Sequence, residues 1–383
     1  MSVTEASGFR AAGVTAGLKA SGRPDVALVV NDGPEYVAAG VFTTNRVVAA
    51  PVLWSREVLK SGRLQAVVLN SGGANACTGP DGFADTHHTA EHAAETLGVA
   101  PIDIAVCSTG LIGVRLDLQA LLAGVDRAAE DLSTDGGSDA AIAIMTTDTR
   151  AKEVVVSEAG VTVGGMAKGA GMIAPGMATM LAVLTTDAVV SAEAAARVLS
   201  SSVARTFNRI DSDGCMSTND TVILMSSGAS GVAVAEDVLA RMVQHVCAAL
   251  ARAMIGDAEG ASKDVRVEVI RAATEDDAVE VGRAVARSNL FKCAMHGEDP
   301  NWGRIVSAVG TTAAAFSAEE LGVTINGVEV CRDGAAFADP AAADLSGRQI
   351  DVTVDLRAGG EAAVIWTNDL TAAYVHENSA YAT

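Results

Sequence analysis

The stretch from Gly164 to Thr186 limits what this chain can be more than any other part of the sequence. Glycines at positions 164, 165, 169 and 171 surround Lys168, and the turn dipeptide Pro175-Gly176 leads into an apolar run of strand length, residues 177–184. Thr179 carries the only side-chain hydroxyl of that run. A β-branched threonine in such a run is most simply a strand residue. A flexible glycine-rich segment beside it is also what a self-cleaving chain needs, in which case Thr179 becomes a nucleophile with a free amine.

Size and composition favour a layered α/β protein with two lobes. The chain has 383 residues, which is long for a single core. Hydrophobic residues make up 49% of it but aromatic residues only 3%, and 38 residues are glycine. Small apolar side chains suit close contacts between helices and sheets. Since strands and helices alternate irregularly and hairpins occur, we expect mixed α/β layering rather than a doubly wound parallel sheet.

The formal charge of –20 disfavours nucleic acid and anionic membranes as partners. It mildly favours a cationic small molecule. The six cysteines form no CxxC pair, so we expect no metal site. The first residues do not resemble a signal peptide, and no run approaches the roughly 20 apolar residues of a membrane span. These features predict a cytoplasmic protein.

Several loops are rich in polar groups and glycine. Residues 70–79 follow an apolar strand but lack the GK[ST] ending of a phosphate loop. Thr109 and Gly110 follow another strand, where backbone N–H groups can turn outward to hold an oxyanion, although an ordinary strand-to-helix turn explains the same spacing. Residues 208–220 contain a D-x-D-G core whose spacing does not fit a calcium loop.

Periodicity also predicts the later elements. We expect one helix over residues 276–292, an Asn-Gly hairpin over 323–330, and a second hairpin whose strands, 350–356 and 362–366, meet at Gly359-Gly360. The polar tail from Asn368 looks like a frayed end.

These motifs together resemble the ornithine acetyltransferase (ArgJ) family, whose members are also called glutamate N-acetyltransferases. Ala178-Thr-Met-Leu181, preceded by Ala167 to Pro175, is similar to the family's processing site. The resemblance covers the whole chain, and its further motifs occur in the family's order: Asn45 within Phe-Thr-Thr-Asn-Arg46, 70–79, 108–110, 146–149, 208–220, 299–304 and the tail. One departure is Gly73, where the family commonly has asparagine, which puts a supporting contact in doubt.

The resemblance implies a precursor that cuts itself between Ala178 and Thr179. Residues 1–178 would form the alpha chain and residues 179–383 the beta chain, with two of each in a heterotetramer. The implied fold is a helix/sheet/sheet/helix arrangement in two lobes, like N-terminal-nucleophile hydrolases but with the family's own topology. Thr179 would be the nucleophile, and Thr109 and Gly110 the oxyanion hole. The implied substrate contacts are Thr147 (adjacent to Thr146), Lys168, Thr179, Glu259, Asn378 and Thr383. The last two imply that the tail folds over the site, so its frayed look would be misleading.

The implied reaction moves an acetyl group from N-acetylornithine to glutamate through acetyl-Thr179, without a cofactor or metal. A rival interpretation is a bifunctional enzyme that also takes acetyl-CoA as a donor substrate. A second rival is an N-terminal-nucleophile amidase or aminopeptidase that uses Thr179 with water. A third is an unprocessed binding protein in which Thr179 is a strand residue.

Overall fold

The computed structural model describes residues 2–174 and 180–380. These residues form two compact units. Unit 1 holds the described residues up to 208 together with 215–254, and unit 2 holds 209–214 and 255–380. The predicted division into two lobes is therefore confirmed, with one addition: a six-residue segment from the middle of the chain belongs to the second unit.

Two sheets build unit 1. The four-stranded sheet has the order β1-β2-β4-β5, and the five-stranded sheet has the order β3-β9-β8-β7-β6. The strands are β1 (Phe9–Val14), β2 (Val26–Asn31), β3 (Val37–Phe42), β4 (Ala66–Asn70), β5 (Ile104–Ser108), β6 (Lys152–Glu158), β7 (Val161–Lys168), β8 (Leu181–Thr186) and β9 (Thr221–Ser226). β4 pairs in parallel with β5, and β8 with β9, so both sheets mix parallel and antiparallel neighbours.

Helices cover the two sheets of unit 1. They are α1 (Ala50–Val58), α2 (Gly79–Leu97), α3 (Leu118–Glu130), α4 (Gly137–Ala143), α5 (Ala192–Arg205) and α6 (Glu236–Ile255). Helices α1 to α4 contact the four-stranded sheet and α5 the five-stranded one. One buried cluster takes in side chains from both sheets, for example Leu28 and Val67 with Val183 and Ile223. The predicted helix/sheet/sheet/helix order and the mixed α/β class are thus confirmed.

Unit 2 contains one six-stranded sheet of the order β13-β12-β11-β14-β10-β15. Its strands are β10 (Asp264–Ala272), β11 (Gly322–Ile325), β12 (Val328–Arg332), β13 (Ala335–Ala336), β14 (Gln349–Asp355) and β15 (Glu361–Asn368). Its helices are α7 (Glu275–Ala286), α8 (Asn289–His296), α9 (Trp302–Val309) and α10 (Ala372–Ala380). The polar tail therefore contains a helix, which ends at Ala380.

The hairpin predicted for 350–356 and 362–366 is wrong. β10 lies between β14 and β15, parallel to the first and antiparallel to the second. Alternating apolar residues predicted both strands correctly, but a short glycine linker does not reveal that a third strand separates them. The Asn-Gly hairpin is confirmed, because β11 and β12 pair around Asn326 and Gly327, which have φ of 43° and 82°.

Two other predictions need correction. The single helix predicted for 276–292 is two helices, because Ser288 adopts an extended conformation and caps α8 by accepting a hydrogen bond from the Phe291 N–H. The glycine run is also not a flexible segment throughout, since Gly164 and Gly165 lie inside β7. A Cβ at Gly164 would lie 2.4 Å from the Ser2 carbonyl oxygen, and one at Gly165 would lie 2.8 Å from Val246 of α6. These glycines allow close packing.

Helix α6 meets the length and composition test for a membrane span, contrary to the expectation from sequence. It has 20 residues and a mean hydropathy of 1.4 over its most apolar window, of which 50% is buried in the protein. Val246 and Leu250 of this helix pack on Gly165 in the five-stranded sheet. Its apolar character is accounted for by a core position.

The segment 209–214 is tied to unit 2 by buried polar contacts. The Lys292 ammonium donates to the Ser212 carbonyl at 2.7 Å and to the Asn368 carbonyl. The Asp211 carboxylate accepts from the Arg287 guanidinium at 2.6 Å. Burial lowers the pKa of Lys292 to about 8, a shift that neighbouring carboxylates such as Asp211 oppose.

Candidate active site

The predicted oxyanion loop begins where two parallel strands end together. β4 and β5 pair in register up to Asn70 and Ser108. Past that point the Thr109 N–H donates to the Asn70 carbonyl at 2.9 Å, and the Asn70 side chain donates to the Gly73 carbonyl at 3.1 Å. Since the backbone N–H of Thr109 is engaged, its side-chain hydroxyl is the donor that this residue can offer to a ligand.

Gly110 cannot be replaced by a larger residue without moving the neighbouring loop. Its φ is +129°, a value that side-chain-bearing residues rarely adopt. A Cβ there would lie 2.8 Å from the Gly73 nitrogen. Gly73 in turn forms a bridge with Thr109, and a Cβ at position 73 would lie 2.9 Å from Leu116. The two glycines therefore bring the loops after β4 and β5 into backbone contact.

Lys168 reaches this loop from the end of β7. Its side chain is buried, and its ammonium donates to the Thr109 hydroxyl oxygen at 3.4 Å. That hydrogen bond occupies a lone pair of the oxygen and leaves the hydroxyl proton available for donation. The structure thus brings together three residues that sequence motifs predicted separately, namely Thr109, Gly110 and Lys168.

A buried carboxylate, Asp148, holds the loop that carries the predicted Thr147 contact. Asp148 accepts from the Lys152 ammonium at 2.6 Å and the Gly169 N–H at 2.7 Å through Oδ1, and from the Thr146 N–H at 3.0 Å through Oδ2. Burial by itself would raise the pKa of Asp148, but the ammonium groups of Lys168 and Lys152 outweigh burial and lower it to about 2. Thr147 is half-buried, as is Thr146.

Asn219 joins the two sheets of unit 1 and was not singled out by sequence reasoning. Its side-chain amide donates to the Ser108 carbonyl at 2.8 Å and to the Ala74 carbonyl at 2.6 Å. Asn219 lies two residues before β9, in the five-stranded sheet, whereas Ser108 ends β5 in the four-stranded one. The loop that carries Thr109 and Gly110 is thereby fixed relative to β9 and its parallel neighbour β8. The only signal in the sequence was the polar density of residues 208–220.

The predicted nucleophile Thr179, its neighbour Ala178 and the predicted contact Thr383 lie outside the described residues. The description resumes at Met180, a buried residue directly before β8. Its N–H donates to the Asp220 carboxylate at 2.9 Å. The residue that follows Thr179 is therefore fixed in the same unit as Thr109 and Lys168.

Unit 2 brings together the remaining predicted contacts, Glu259 and Asn378. The Asn378 side chain donates to Glu259 Oε2 at 3.0 Å. Glu259 also lines a cavity of about 160 Å³ together with Asp213, Asp369 and Lys292. Carboxylates outnumber cationic groups in its lining, which suits a cationic ligand.

The described part of the chain contains no cluster of metal-binding side chains and no disulfide. Over residues 2–174 and 180–380, no three His, Cys, Asp or Glu side chains are grouped so as to hold a metal ion. The six cysteines are free thiols. Burial raises the pKa of the Cys107 and Cys247 thiols to about 12, so neither is a nucleophile near neutral pH.

Fold and site together define an α/β protein with an arrangement suited to acyl transfer: a hydroxyl, a glycine turn and a buried cation lie at the end of a strand. Comparison with known proteins agrees with that class. The model of the ArgJ family matches residues 10–383, and the chain belongs to this family.

Relatives align over the full length of the chain. The arginine biosynthesis bifunctional protein ArgJ of Streptomyces coelicolor is 63% identical, with all of both chains covered. The protein of the same name from Thermobifida fusca is 57% identical over the same coverage. Among solved structures, a chain of the Mycobacterium tuberculosis ornithine acetyltransferase complexed with ornithine is 60% identical, covers 45% of this chain and 94% of its own length, and has a TM-score of 0.45.

Proposed function

We propose that the chain is a self-processing acetyltransferase that moves the acetyl group of N2-acetyl-L-ornithine to L-glutamate and so yields ornithine and N-acetylglutamate. The observation that carries this proposal is the contact between the Lys168 ammonium and the Thr109 hydroxyl, beside Gly110, in a chain of the ArgJ family. Its full-length relatives are named as arginine biosynthesis proteins, which supports a role in that pathway.

Processing begins with attack of the Thr179 hydroxyl on the Ala178 carbonyl. An N-to-O acyl shift gives an ester, and water then releases the alpha chain, residues 1–178, from the beta chain, residues 179–383. The new amine of Thr179 has an ordinary pKa of about 7.7–8.0, so part of it is neutral near pH 7 and serves as the base for the neighbouring hydroxyl. No histidine is needed in this scheme.

Acetyl transfer then uses the same hydroxyl. Thr179 attacks the acetyl carbonyl of N-acetylornithine, and the negative charge on the carbonyl oxygen is stabilised by the Thr109 hydroxyl and Gly110. Ornithine leaves, and the amine of glutamate attacks the acetyl-enzyme. In other enzymes the loss of one such donor costs about 3 kcal/mol of transition-state stabilisation.

The substrate is recognised by charge at both ends. Lys168, which is buried, pairs with the α-carboxylate that ornithine and glutamate share. Glu259 binds the side-chain ammonium of ornithine, with Asn378 donating to Glu259 at 3.0 Å. Thr147 and Thr383 complete the proposed contacts. The acceptor and donor bind in turn, because one nucleophile serves both half-reactions.

A second activity is favoured by one observation. The relatives are named bifunctional proteins, which supports acetyl-CoA as an additional donor for the synthesis of N-acetylglutamate. Two further features belong to the proposal: two alpha and two beta chains assemble as a heterotetramer, and the enzyme works in the cytoplasm.

Intact mass of the purified protein tests the central step. The wild type should give two fragments that begin at residue 1 and at Thr179, whereas Thr179→Ala should remain a single inactive chain. Acetyl transfer from N-acetylornithine to glutamate, assayed with and without acetyl-CoA, separates one activity from two. A fully active single chain, or transfer that survives in Thr179→Ala, would refute the proposal.

A further inference from the structure

The carboxyl group of Asp220 has one oxygen engaged and one unsatisfied. The residue directly precedes β9 and is fully buried. Oδ1 accepts the Met180 N–H at 2.9 Å. Oδ2 has no hydrogen-bond partner within the described residues. A buried polar atom without a partner is costly and rare in folded proteins, and such atoms concentrate where chemistry occurs.

Asp220 and its neighbour hold Met180 by both of its backbone groups. The Met180 N–H donates to Asp220, and its carbonyl accepts from the Thr221 N–H at 3.2 Å. Covalent geometry alone keeps the nitrogen of Thr179 within about 2.7–3.7 Å of the Met180 nitrogen, whatever the backbone dihedral between them. The carboxyl group is therefore anchored beside the backbone at which cleavage creates an amine.

The charges around Asp220 differ before and after cleavage. Burial raises the pKa of Asp220 well above its usual value, against the opposing effects of the Met180 N–H, the Ser217 hydroxyl and the Lys168 ammonium. The Lys168 ammonium lowers the pKa of Asp220 by its charge, and it lowers the pKa of Asp148 in the same way. In the uncut chain burial accordingly favours the neutral form of the carboxyl group. A new ammonium group within a few ångströms favours the carboxylate instead.

We propose, on the basis of the self-processing function above, that Asp220 is a positioning residue for the catalytic amine: Oδ1 fixes the backbone at Met180, and Oδ2 accepts a hydrogen bond from the amine of Thr179 once cleavage has created it. The N-to-O acyl shift breaks the Ala178–Thr179 amide bond and turns its nitrogen into an amine. The carboxyl proton of Asp220 then passes to this amine and leaves a carboxylate–ammonium pair, and hydrolysis of the ester releases the alpha chain.

Turnover needs the neutral amine, which forms when this pair loses one proton to solvent. On attack, the amine takes the proton of the Thr179 hydroxyl and becomes an ammonium, which the Asp220 carboxylate stabilises. The ammonium then gives that proton to the departing nitrogen of ornithine. Asp220 thus does for an amine what the aspartate of a Ser-His-Asp triad does for the imidazole, and it remains ionised through the cycle.

The test compares Asp220→Asn with Asp187→Asn. The asparagine at 220 keeps the side-chain volume and an oxygen for the Met180 N–H but cannot carry the charge. Asp187 is a matched control, because it is a buried carboxylate at the opposite end of β8 that accepts backbone N–H groups from Thr162 at 2.8 Å and Ser7 at 3.2 Å. Intact mass and the pH dependence of kcat/KM for acetyl transfer are measured for the wild type and both variants.

Asp220→Asn should still be cut, although more slowly, because the asparagine keeps an oxygen for the Met180 N–H but has no carboxyl proton to give to the new amine. Its plateau kcat should fall about 10- to 100-fold, as expected for one lost charge-assisted hydrogen bond. The acid limb of its pH profile should move to lower pH by about one unit or more, because an amine without a neighbouring carboxylate is less basic. Asp187→Asn should keep the wild-type limb. An uncut Asp220→Asn chain, an unshifted limb, or an equal shift in the control would overturn the proposal.

A second measurement does not depend on activity. In the uncut Thr179→Ala background, Asp220→Asn should increase the free energy of unfolding, and increasingly so as pH rises, because a buried carboxyl group that resists ionisation is removed. In the cleaved enzyme, Asp220→Asn should instead decrease the free energy of unfolding. An effect of one sign in both backgrounds would overturn the proposal. A wild type that is uncut or transfers no acetyl group would instead refute the proposed function itself.

Discussion

Replacing Asp148 by asparagine should destabilise unit 1 strongly, because it removes the anion that two buried lysines share. The carboxylate and the Lys152 ammonium are both 0% exposed and 2.6 Å apart. Lys168 is 1% exposed and acts on the same carboxylate. Asparagine keeps the shape of the side chain but removes the negative charge that lies beside both ammonium groups. Removing one partner of a buried ion pair typically costs about 3–5 kcal/mol, which is the loss expected near pH 7.

Part of this stabilisation should depend on pH. Because the pKa of Asp148 is about 2 in the folded chain, against an ordinary value of 3.8, the shift corresponds to about 2.5 kcal/mol of stability. A depressed pKa contributes fully above the unfolded value and is lost as pH falls through the folded value. About 1 kcal/mol of this stabilisation should be lost by pH 3. The difference in the free energy of unfolding between wild type and Asp148→Asn should therefore narrow between pH 5 and pH 3.

Urea denaturation followed by tryptophan fluorescence measures this effect in the unit concerned. A background with Trp302→Phe and Trp366→Phe leaves Trp54, which is buried in unit 1, as the reporter. Asp135→Asn, at an exposed position in the same unit, is the control and should change stability by less than about 0.5 kcal/mol. A loss below about 1 kcal/mol for Asp148→Asn, or a gap that stays constant from pH 5 to pH 3, would refute the reasoning.

Three further changes probe the site, each by steady-state kinetics. Gly110→Ala should lower kcat about 10²- to 10³-fold. Gly113 has a φ of +84° but open space around it, so Gly113→Ala should lower kcat much less. Equal losses of kcat in the two variants would contradict the role of close packing at Gly110. Lys168→Met should raise KM for N-acetylornithine about 10-fold or more, and the exposed Lys60→Met should leave it unchanged; an unaltered KM in the first variant would exclude carboxylate binding. Asn219→Ala leaves the carbonyls of Ala74 and Ser108 without the amide donor. It should lower the free energy of unfolding by about 1–3 kcal/mol in thermal unfolding and should also lower kcat. A variant of unchanged stability and unchanged kcat would show that this contact between the two sheets is dispensable.

Local features of the sequence predicted local structure well. Ser191 stands directly before the amphipathic run of α5 and caps that helix by accepting the Ala194 N–H. The Asn326-Gly327 turn is present because both residues tolerate positive φ. In each case the residues that decide the structure lie within a few positions of one another, so the sequence contains the whole signal.

Features that depend on distant parts of the chain could not be predicted in this way. The partners of the Asn219 amide are carbonyls 111 and 145 residues away, and backbone carbonyls have no sequence signature. Asp148 was visible within a polar motif, but nothing in its neighbourhood indicates that Gly169 donates to it from the far end of a hairpin. Resemblance to a family predicted Thr109, Gly110 and Lys168 as site residues, whereas physical reasoning from spacing alone favoured an ordinary turn after β5.

The position of β10 in the middle of its sheet affects how the chain folds while it is being synthesised on the ribosome. β10 is complete at residue 272, yet its neighbours β14 and β15 span Gln349–Asp355 and Glu361–Asn368. At bacterial and eukaryotic elongation rates, roughly 5 to 20 s pass before both neighbours have been made. During that interval a strand rich in valine has two unpaired edges, and the sheet of unit 2 cannot close until residue 368 has been made. The nine strands described in unit 1 are complete by residue 226 and its helix α6 by residue 255, so unit 1 of a newly made chain should fold while the unpaired strand of unit 2 is still prone to aggregation.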